Sequence, residues 1–120
     1  MISMGQKIST EKYMQLLTSQ SDLVKYFAQW LDNNYDFIFT LASAGEAPLG
    51  LEYNDKDDAT LIWTYLGLPT IIVPKFKGPS GMPFGFQIVS RKYNDKELIK
   101  FTKLLKLKGL IRDCDVVKVV

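Results

Sequence analysis

Residues 36–91 read DFIFTLASAGEAPLGLEYNDKDDATLIWTYLGLPTIIVPKFKGPSGMPFGFQIVSR, and this stretch decides the fold. It contains three short apolar runs, at 37–41, 70–73 and 84–89. The first two runs are β-branched or aromatic and hydrophobic on consecutive positions, which is typical of strands buried on both faces, and the third run needs similar cover. A polar loop, a short helical stretch and a glycine-rich turn separate the runs. The stretch therefore predicts three strands of an α/β sheet.

The segments on either side of this stretch are predicted to be helices that pack against the sheet. Ser9 is the expected N-cap of the first helix, which ends in the two asparagines after Asp32. Its apolar stripe recurs at three- and four-residue steps: Tyr13, Leu16, Leu17, Val24, Phe27, Trp30 and Leu31. Asn94 is the expected N-cap of the last helix, with Glu97 completing a capping box and Gly109 ending the helix.

A shorter helix is predicted between the first two strands. Asp55 or Asp57 can cap its start, and Gly67 stands where a C-terminal glycine cap belongs. The order strand, helix, strand implies a right-handed crossover that leaves the two strands parallel. Turn residues at 77–83 favour an antiparallel hairpin between the second and third strands. The sequence thus predicts a small mixed β-sheet of three or four strands, packed with about three helices.

Length and composition exclude several classes of protein. With 120 residues the chain is one domain at most, and it has no apolar run near the roughly 20 residues of a membrane span. A single cysteine excludes an internal disulfide and fits a reducing, cytoplasmic compartment. Because the chain has no histidine, neither a serine–histidine–aspartate triad nor a Cys/His zinc site is possible within it. We expect no metal and no cofactor.

Several short motifs follow one another along the chain: Asp36-Phe37-Ile38-Phe39-Thr40, Gly45-Glu46-Ala47-Pro48, Trp63-Thr64 with Gly67-Leu68-Pro69, Val73-Pro74, and Gly81-Met82-Pro83 with Gly85 and Gln87-Ile88-Val89. In this order they resemble the C-terminal part of the amidase signature family. The resemblance covers about residues 8–105. It implies that residues 1–120 form a single partial domain, with part of an amidase-signature fold.

The resemblance implies hydrolysis of C–N amide bonds. In that family a serine attacks the amide carbonyl, and a lysine works through a second serine. No position in this chain matches the motifs that carry those three residues, so we assign no catalytic residue. We expect the chain to be the C-terminal portion of an amidase-type amidohydrolase, inactive alone because a missing N-terminal part supplies the catalytic residues. Whether the chain by itself is an enzyme stays open.

Two branches of the family and one non-enzymatic reading are compatible with the motifs. The elements at 45–48 and 63–69 resemble those of general amidases, which we favour. The alternative is the catalytic subunit of a glutamine-dependent transfer-RNA amidotransferase, which shares the Gly-x-Pro and Pro-x-Gly-x-Gln elements but usually lacks the tryptophan. A third reading is a binding or assembly module that reuses the fragment without catalysis.

The resemblance also points to residues that contact substrate. The end of the first strand faces the substrate cleft in amidases, and the loop after it, 42–57, is long and begins with small residues. The expected substrate-binding residues are Thr40, Ala42, Ser43, Ala44, Gly45 and Trp63. One departure is Leu41, where many relatives have proline. A small amide substrate is expected only when an N-terminal half is present.

Two other features favour structural interpretations. Ser80 lies among glycines, but Met82 stands where a nucleophile elbow needs glycine, so the segment 78–81 is predicted to be a hairpin tip. Lysines crowd the last helix at positions 96, 100, 103, 106 and 108. Because no aromatic residues alternate with them, a solvated face is favoured over a nucleic-acid site.

The apolar strands also predict self-association. Three helices can cover one face of the sheet well and the other only in part, so an apolar face or an open strand edge would remain. We therefore expect a homo-oligomer, most simply a two-fold dimer. The apolar tail at 116–120 is a candidate for the pairing strand.

Overall fold

The computed structural model describes residues 5–50 and 59–111. Its elements in chain order are α1 (Thr10–Asn34), β1 (Phe37–Leu41), α2 (Leu61–Leu66), β2 (Thr70–Lys77), β3 (Pro83–Ser90) and α3 (Asp95–Leu107). The predicted α/β class is confirmed, with a three-stranded sheet and three helices in the described residues. The proposed caps at Asp55 and Asp57 and the tail strand at 116–120 lie outside these residues.

The sheet has the strand order β1-β3-β2. The hairpin between β2 and β3 forms as predicted, with Val73 opposite Phe86. β1 also pairs antiparallel to β3, with Phe39 opposite Ile88. β1 and β2 therefore run in the same direction but are separated by β3. The sheet differs from the predicted mixed sheet because the hairpin returns β3 into the space between them, so both neighbouring pairs are antiparallel.

Burial on both faces holds for the central strand alone. The last four residues of β3, at 87–90, are all buried, whereas β1 has no fully buried residue and β2 has only Val73. Phe39 of β1 is 51% exposed and Ile72 of β2 is 57% exposed. The prediction of two buried faces for all three runs is thus wrong for the edges, since each edge strand has a neighbour on one side only.

α3 covers one face of the sheet and forms the main core there. Leu98 of α3 is buried against Val73, Ile88 and Ile111. Phe101 of the same helix stacks on Phe37 of β1, with ring centroids 4.2 Å apart and planes 6° from parallel. This cluster attaches the last helix to all three strands.

The opposite face of the central strand is also buried. Since side chains alternate along a strand, Gln87 and Val89 point away from the α3 face, and both are fully buried. Phe27 of α1 packs on Trp63 of α2 at 6.1 Å between ring centroids. Leu31 is the buried residue of α1, and the N-terminal part of its predicted apolar stripe is exposed. The helix therefore contacts the rest of the chain mainly near its C-terminal end.

The helix N-termini follow the predictions in part. The hydroxyl of Ser9 accepts a hydrogen bond from the Lys12 N–H at 3.1 Å, so Ser9 is the predicted N-cap of α1. Asn94 precedes α3, but its side chain makes no cap bond and instead donates to the Ser90 hydroxyl at 2.8 Å. Glu97 pairs with Lys100 at 2.7 Å. The predicted capping box is therefore wrong.

The helix C-termini depend on glycine at two of the three ends. Gly67 follows α2 with φ +66°, and Gly109 follows α3 with φ +72°, as the sequence predicted. α1 ends differently, because Tyr35 is extended and neither preceding asparagine adopts the left-handed conformation. Asn34 instead donates its side-chain amide to the Trp30 carbonyl at 2.6 Å.

The α3 core predicts a contrast between two leucines of one helix. Leu98 is 2% exposed and Leu107 is 84% exposed. Leu98→Ala removes buried apolar volume and should lower the free energy of unfolding by about 2–5 kcal/mol. Leu107→Ala is the matched control and should change it by no more than about 0.5 kcal/mol. Equilibrium urea unfolding measures both; equal losses would mean that α3 does not pack as described.

Self-association stays a prediction, and the exposed apolar residues of the edge strands support it. Within the described residues, β1 and β2 each have one unpaired edge, and Phe39, Leu41 and Ile72 are more than half exposed. A second copy could cover these groups. Light scattering of the purified chain at micromolar concentration should report a mass above that of a monomer. A monomer that binds no apolar dye would contradict the prediction.

Candidate substrate-binding site

The loop that follows β1 leaves the sheet in a defined way. The Ala42 N–H donates to the Gly85 carbonyl at 2.9 Å and so extends the pairing of β1 with β3 by one residue. Ser43 then turns back on the loop, and its hydroxyl donates to the Gly45 carbonyl at 2.6 Å. Ala44, between them, is exposed. The structure therefore places residues 42–45 together at the end of β1.

Gln87 of β3 holds the end of β1 and the approach to α2 together. Its side-chain nitrogen lies 2.9 Å from the Thr40 hydroxyl, 3.0 Å from the Leu41 carbonyl and 3.0 Å from the Ala59 carbonyl. The residue is fully buried. A buried carboxamide without partners would cost free energy, so these contacts make its burial possible.

The orientation of the Gln87 carboxamide follows from its neighbours. The carbonyl oxygens of Leu41 and Ala59 can only accept, so the nitrogen of Gln87 must face them. The oxygen Oε1 therefore points away from them, and it is buried without a hydrogen-bond partner among the described residues. The side chain acts as a donor between two segments of backbone.

Glu46 fixes the other end of the loop. Its carboxylate accepts hydrogen bonds from the Ser80 N–H, at 2.9 and 3.2 Å to the two oxygens, and from the Met82 N–H at 3.2 Å. Both donors belong to the turn between β2 and β3. Successive backbone N–H groups in a turn form a concavity that suits an anion. We call this set of bonds the loop–hairpin contact.

Gly78 provides the space for the loop–hairpin contact. A Cβ atom added at Gly78 would overlap with Cγ, Cδ and Oε2 of Glu46. Gly78 does not need glycine for its backbone conformation, because its φ is not in the left-handed region. The requirement for glycine here therefore comes from the carboxylate that lies over it.

The turn itself is the predicted hairpin tip. The Gly78 N–H donates to the Met82 carbonyl at 3.0 Å, and Gly81 has φ +82°. Ser80 contributes its backbone N–H to the loop–hairpin contact. This role agrees with the structural interpretation of Ser80, for which the sequence offered no activating base.

Trp63 lies in a different environment from the loop. Its ring packs on Phe27 between α1 and α2, and its Nε1 is buried without a hydrogen-bond partner in the described part of the chain. The link to the loop is indirect, because Gln87 bonds the Ala59 carbonyl just before α2. The structure thus places Thr40 and residues 42–45 together at the end of β1, whereas the Trp63 ring packs on Phe27 of α1. Their role in substrate binding stays a prediction.

Glu46 and Gln87 were part of the motifs identified in the sequence, but no structural role was predicted for either residue. A signal for Gln87 was available, since a lone amide within the apolar run 84–89 must find partners when buried. No comparable signal marked Glu46, because an acidic residue in a loop is normally solvated. Its partner is 34 residues away along the chain.

Other possible sites in the described residues offer less. No group of three or more His, Cys, Asp or Glu side chains there could hold a metal ion. Among the described helices, none has the length and apolar character needed to cross a membrane. An open depression of about 370 Å³ lies at the opposite end of β3, beside Arg91, whose guanidinium pairs with Asp32 at 3.1 Å and Asp36 at 3.5 Å.

The chain is similar in sequence to subunits of glutamyl-tRNA(Gln) amidotransferase. It is 36% identical over 75 residues to the subunit from Borreliella burgdorferi, covering 57% of this chain and 16% of the relative. The corresponding mitochondrial subunit of Mus musculus is 28% identical over 109 residues, covering 76% of this chain and 21% of the relative. The chain thus spans about a fifth or less of the relatives it matches. No protein-family model matches it.

The fold is similar to that of parts of larger solved structures. A chain from a vestigial protein complex, linked to the origins of an s-triazine catabolic enzyme, matches with a TM-score of 0.73 and 20% identity, over 90% of this chain and 26% of that one. The 6-aminohexanoate cyclic dimer hydrolase matches with a TM-score of 0.67 and 17% identity, over 88% and 26%. Together, these similarities support the amidase signature family. They support the general amidase and amidotransferase branches equally, so the preference for the first is not confirmed.

The Gln87 contacts predict a specific loss of stability. Gln87→Met keeps the volume but removes the donor shared by the Leu41 and Ala59 carbonyls, and leaving such groups unpaired costs roughly 1–3 kcal/mol. Gln15→Met on the exposed part of α1 is the matched control and should cost no more than about 0.5 kcal/mol. Urea unfolding compares them. A loss no greater than that of the control would show that the carboxamide is not buried as described.

Proposed function

We propose that this chain supplies the C-terminal portion of an amidase-type enzyme. Such an enzyme hydrolyses a C–N amide bond or transfers the amide nitrogen to an acceptor. The observation that carries the proposal is the 36% identity to a glutamyl-tRNA(Gln) amidotransferase subunit. The fold agrees with this assignment, since 90% of the chain matches part of a larger solved chain with a TM-score of 0.73. The activity of the relatives belongs to proteins about four times as long as this chain, so it comes to this chain only through a completed fold.

The part of the chain that we assign to substrate is the loop 42–45 with Thr40 and Trp63. Small side chains at 42–45 leave the backbone open to a close approach by an amide group. Thr40 and Leu41 are bonded to Gln87 on one side of this loop, and Glu46 is bonded to the hairpin tip on the other. A loop held at both ends is ordered before substrate arrives, which lowers the entropic cost of binding.

Catalysis requires groups that we do not find in this sequence. Amide hydrolysis needs a nucleophile, a proton shuttle and donors for the oxyanion. Ser80 is a hairpin-tip residue with its backbone engaged by Glu46, and no lysine contacts its hydroxyl in the described residues. We therefore propose that the chain is inactive alone and that the serine–serine–lysine groups come from the rest of an amidase fold.

Two branches remain as candidate functions. The curated relatives favour the amidotransferase, because both of those described above are glutamyl-tRNA(Gln) amidotransferase subunits. The motif that includes Trp63 favours a general amidase, and one solved neighbour is a hydrolase of a cyclic dimer of 6-aminohexanoate. A non-enzymatic module is the third candidate, and it predicts no activity in any completed fold.

Two chimeric enzymes test the proposal. In one, the matched segment of the Borreliella burgdorferi amidotransferase subunit is replaced by the corresponding residues of this chain; in the other, the matched part of 6-aminohexanoate cyclic dimer hydrolase is replaced. The unmodified 120-residue chain should not turn over the substrate of either host enzyme. At least one chimera should regain its host's activity, and the host that is rescued identifies the branch.

Each chimera carries its own controls. Circular dichroism and thermal unfolding establish that it is folded, and the host with its segment deleted gives the background rate. If both chimeras fold and neither is active, the result contradicts the proposal and favours the non-enzymatic module. Turnover by the 120-residue chain alone, abolished by Ser80→Ala, would contradict the assignment of the catalytic groups to another part of the fold.

A further inference from the structure

The loop–hairpin contact joins two segments that are far apart in sequence and adjacent to the proposed substrate loop. Glu46 directly follows the last of the residues 42–45 and is partly buried. Its three hydrogen bonds all go to backbone N–H groups of the hairpin tip. The position of 42–45 therefore depends on the shape of the β2–β3 turn.

The contact is built for a carboxylate. Two N–H groups converge on it, one of them shared between its two oxygens. Hydrogen bonds to an ionised acceptor are about twice as strong as those between neutral groups. A carboxamide in the same place would present an NH₂ group to one of the donors, so Glu46→Gln keeps the volume and loses part of the contact.

Gly78 independently supports the same arrangement. The three atoms nearest to a Cβ added at Gly78 all belong to Glu46. Because its φ is ordinary, alanine at this position is opposed by the carboxylate and not by the backbone. Gly78 therefore leaves the space that the Glu46 carboxylate occupies, and an added Cβ would require that side chain to shift.

We propose that Glu46 is a positioning residue for the amide substrate, acting by fixing the loop 42–45 against the hairpin tip. This inference rests on the proposed function. Glu46 itself touches neither substrate nor the reacting atoms, since its carboxylate is occupied by the Ser80 and Met82 N–H groups. When the contact is absent, the loop must be ordered at the moment of binding, so the loss falls mainly on substrate affinity.

The first test uses amide hydrogen exchange in the 120-residue chain. Glu46→Ala should speed exchange at Ser80 and Met82 at least roughly tenfold, and Glu46→Gln should have a smaller effect of the same sign. Ser80→Ala is the matched control, because it removes the hydroxyl and keeps the bonded N–H. It should leave both rates unchanged. Unchanged exchange in Glu46→Ala would overturn the proposal.

A double-mutant cycle separates the contact from general damage to the turn. Gly78→Ala should speed exchange at Ser80 and Met82 when Glu46 is present. In the Glu46→Ala background the same substitution should add little, since the atoms it would strike are gone. Additive effects of the two substitutions would overturn the proposed pairing of Glu46 with Gly78.

The second test measures kinetics in whichever chimera is active. Glu46→Gln should raise KM several-fold with a smaller change in kcat, while Ser80→Ala changes neither. A fall in kcat at constant KM, or no kinetic change despite faster exchange, would overturn the positioning role. If the unsubstituted chimeras are inactive, the proposed function fails, and with it the substrate role. The exchange measurements would then still decide whether the contact exists.

Discussion

A carboxamide buried in the central strand constrains the whole of this structure. Gln87 is fully enclosed between the sheet and the segment leading into α2, and its nitrogen must therefore find acceptors. It finds them at Thr40 and Leu41, where β1 ends, and at Ala59, just before α2 begins. The proposed substrate loop starts from that point, and Glu46 ties its other end to the hairpin tip. Together, the two contacts fix the backbone at both ends of the proposed substrate loop.

Much of the fold could be predicted from local patterns, because strands, caps and turns depend on nearby residues. Ser9 capped its helix as expected, and Gly67 ended the next one. Asn94 stands at the predicted N-cap position of α3, but its side chain bonds the Ser90 hydroxyl and caps no helix N–H. Strand order was harder, since nothing in the runs at 37–41 and 70–73 reveals that β3 lies between them. The exposed edges follow from that order.

The position of the loop after β1 could be predicted from the sequence, but the contacts that hold this loop could not. Small residues after β1 marked the loop, and the family resemblance gave it a role. The contacts that hold it join residues 34 to 47 positions apart, and no local pattern encodes such pairs. Trp63 was expected to help wall the cleft from the facing helix; its ring packs on Phe27, and its part in substrate binding stays a prediction. Any part it has in the cleft depends on the surface that the rest of an amidase fold presents to it.

The most direct measurement of the central claim is a crystal structure of an active chimera with a non-hydrolysable amide analogue bound. We expect the backbone of residues 42–45 to contact the analogue within about 4 Å, with Glu46 still bonded to the hairpin tip. An analogue bound elsewhere, with the loop facing solvent, would contradict the assignment of this segment to the substrate cleft.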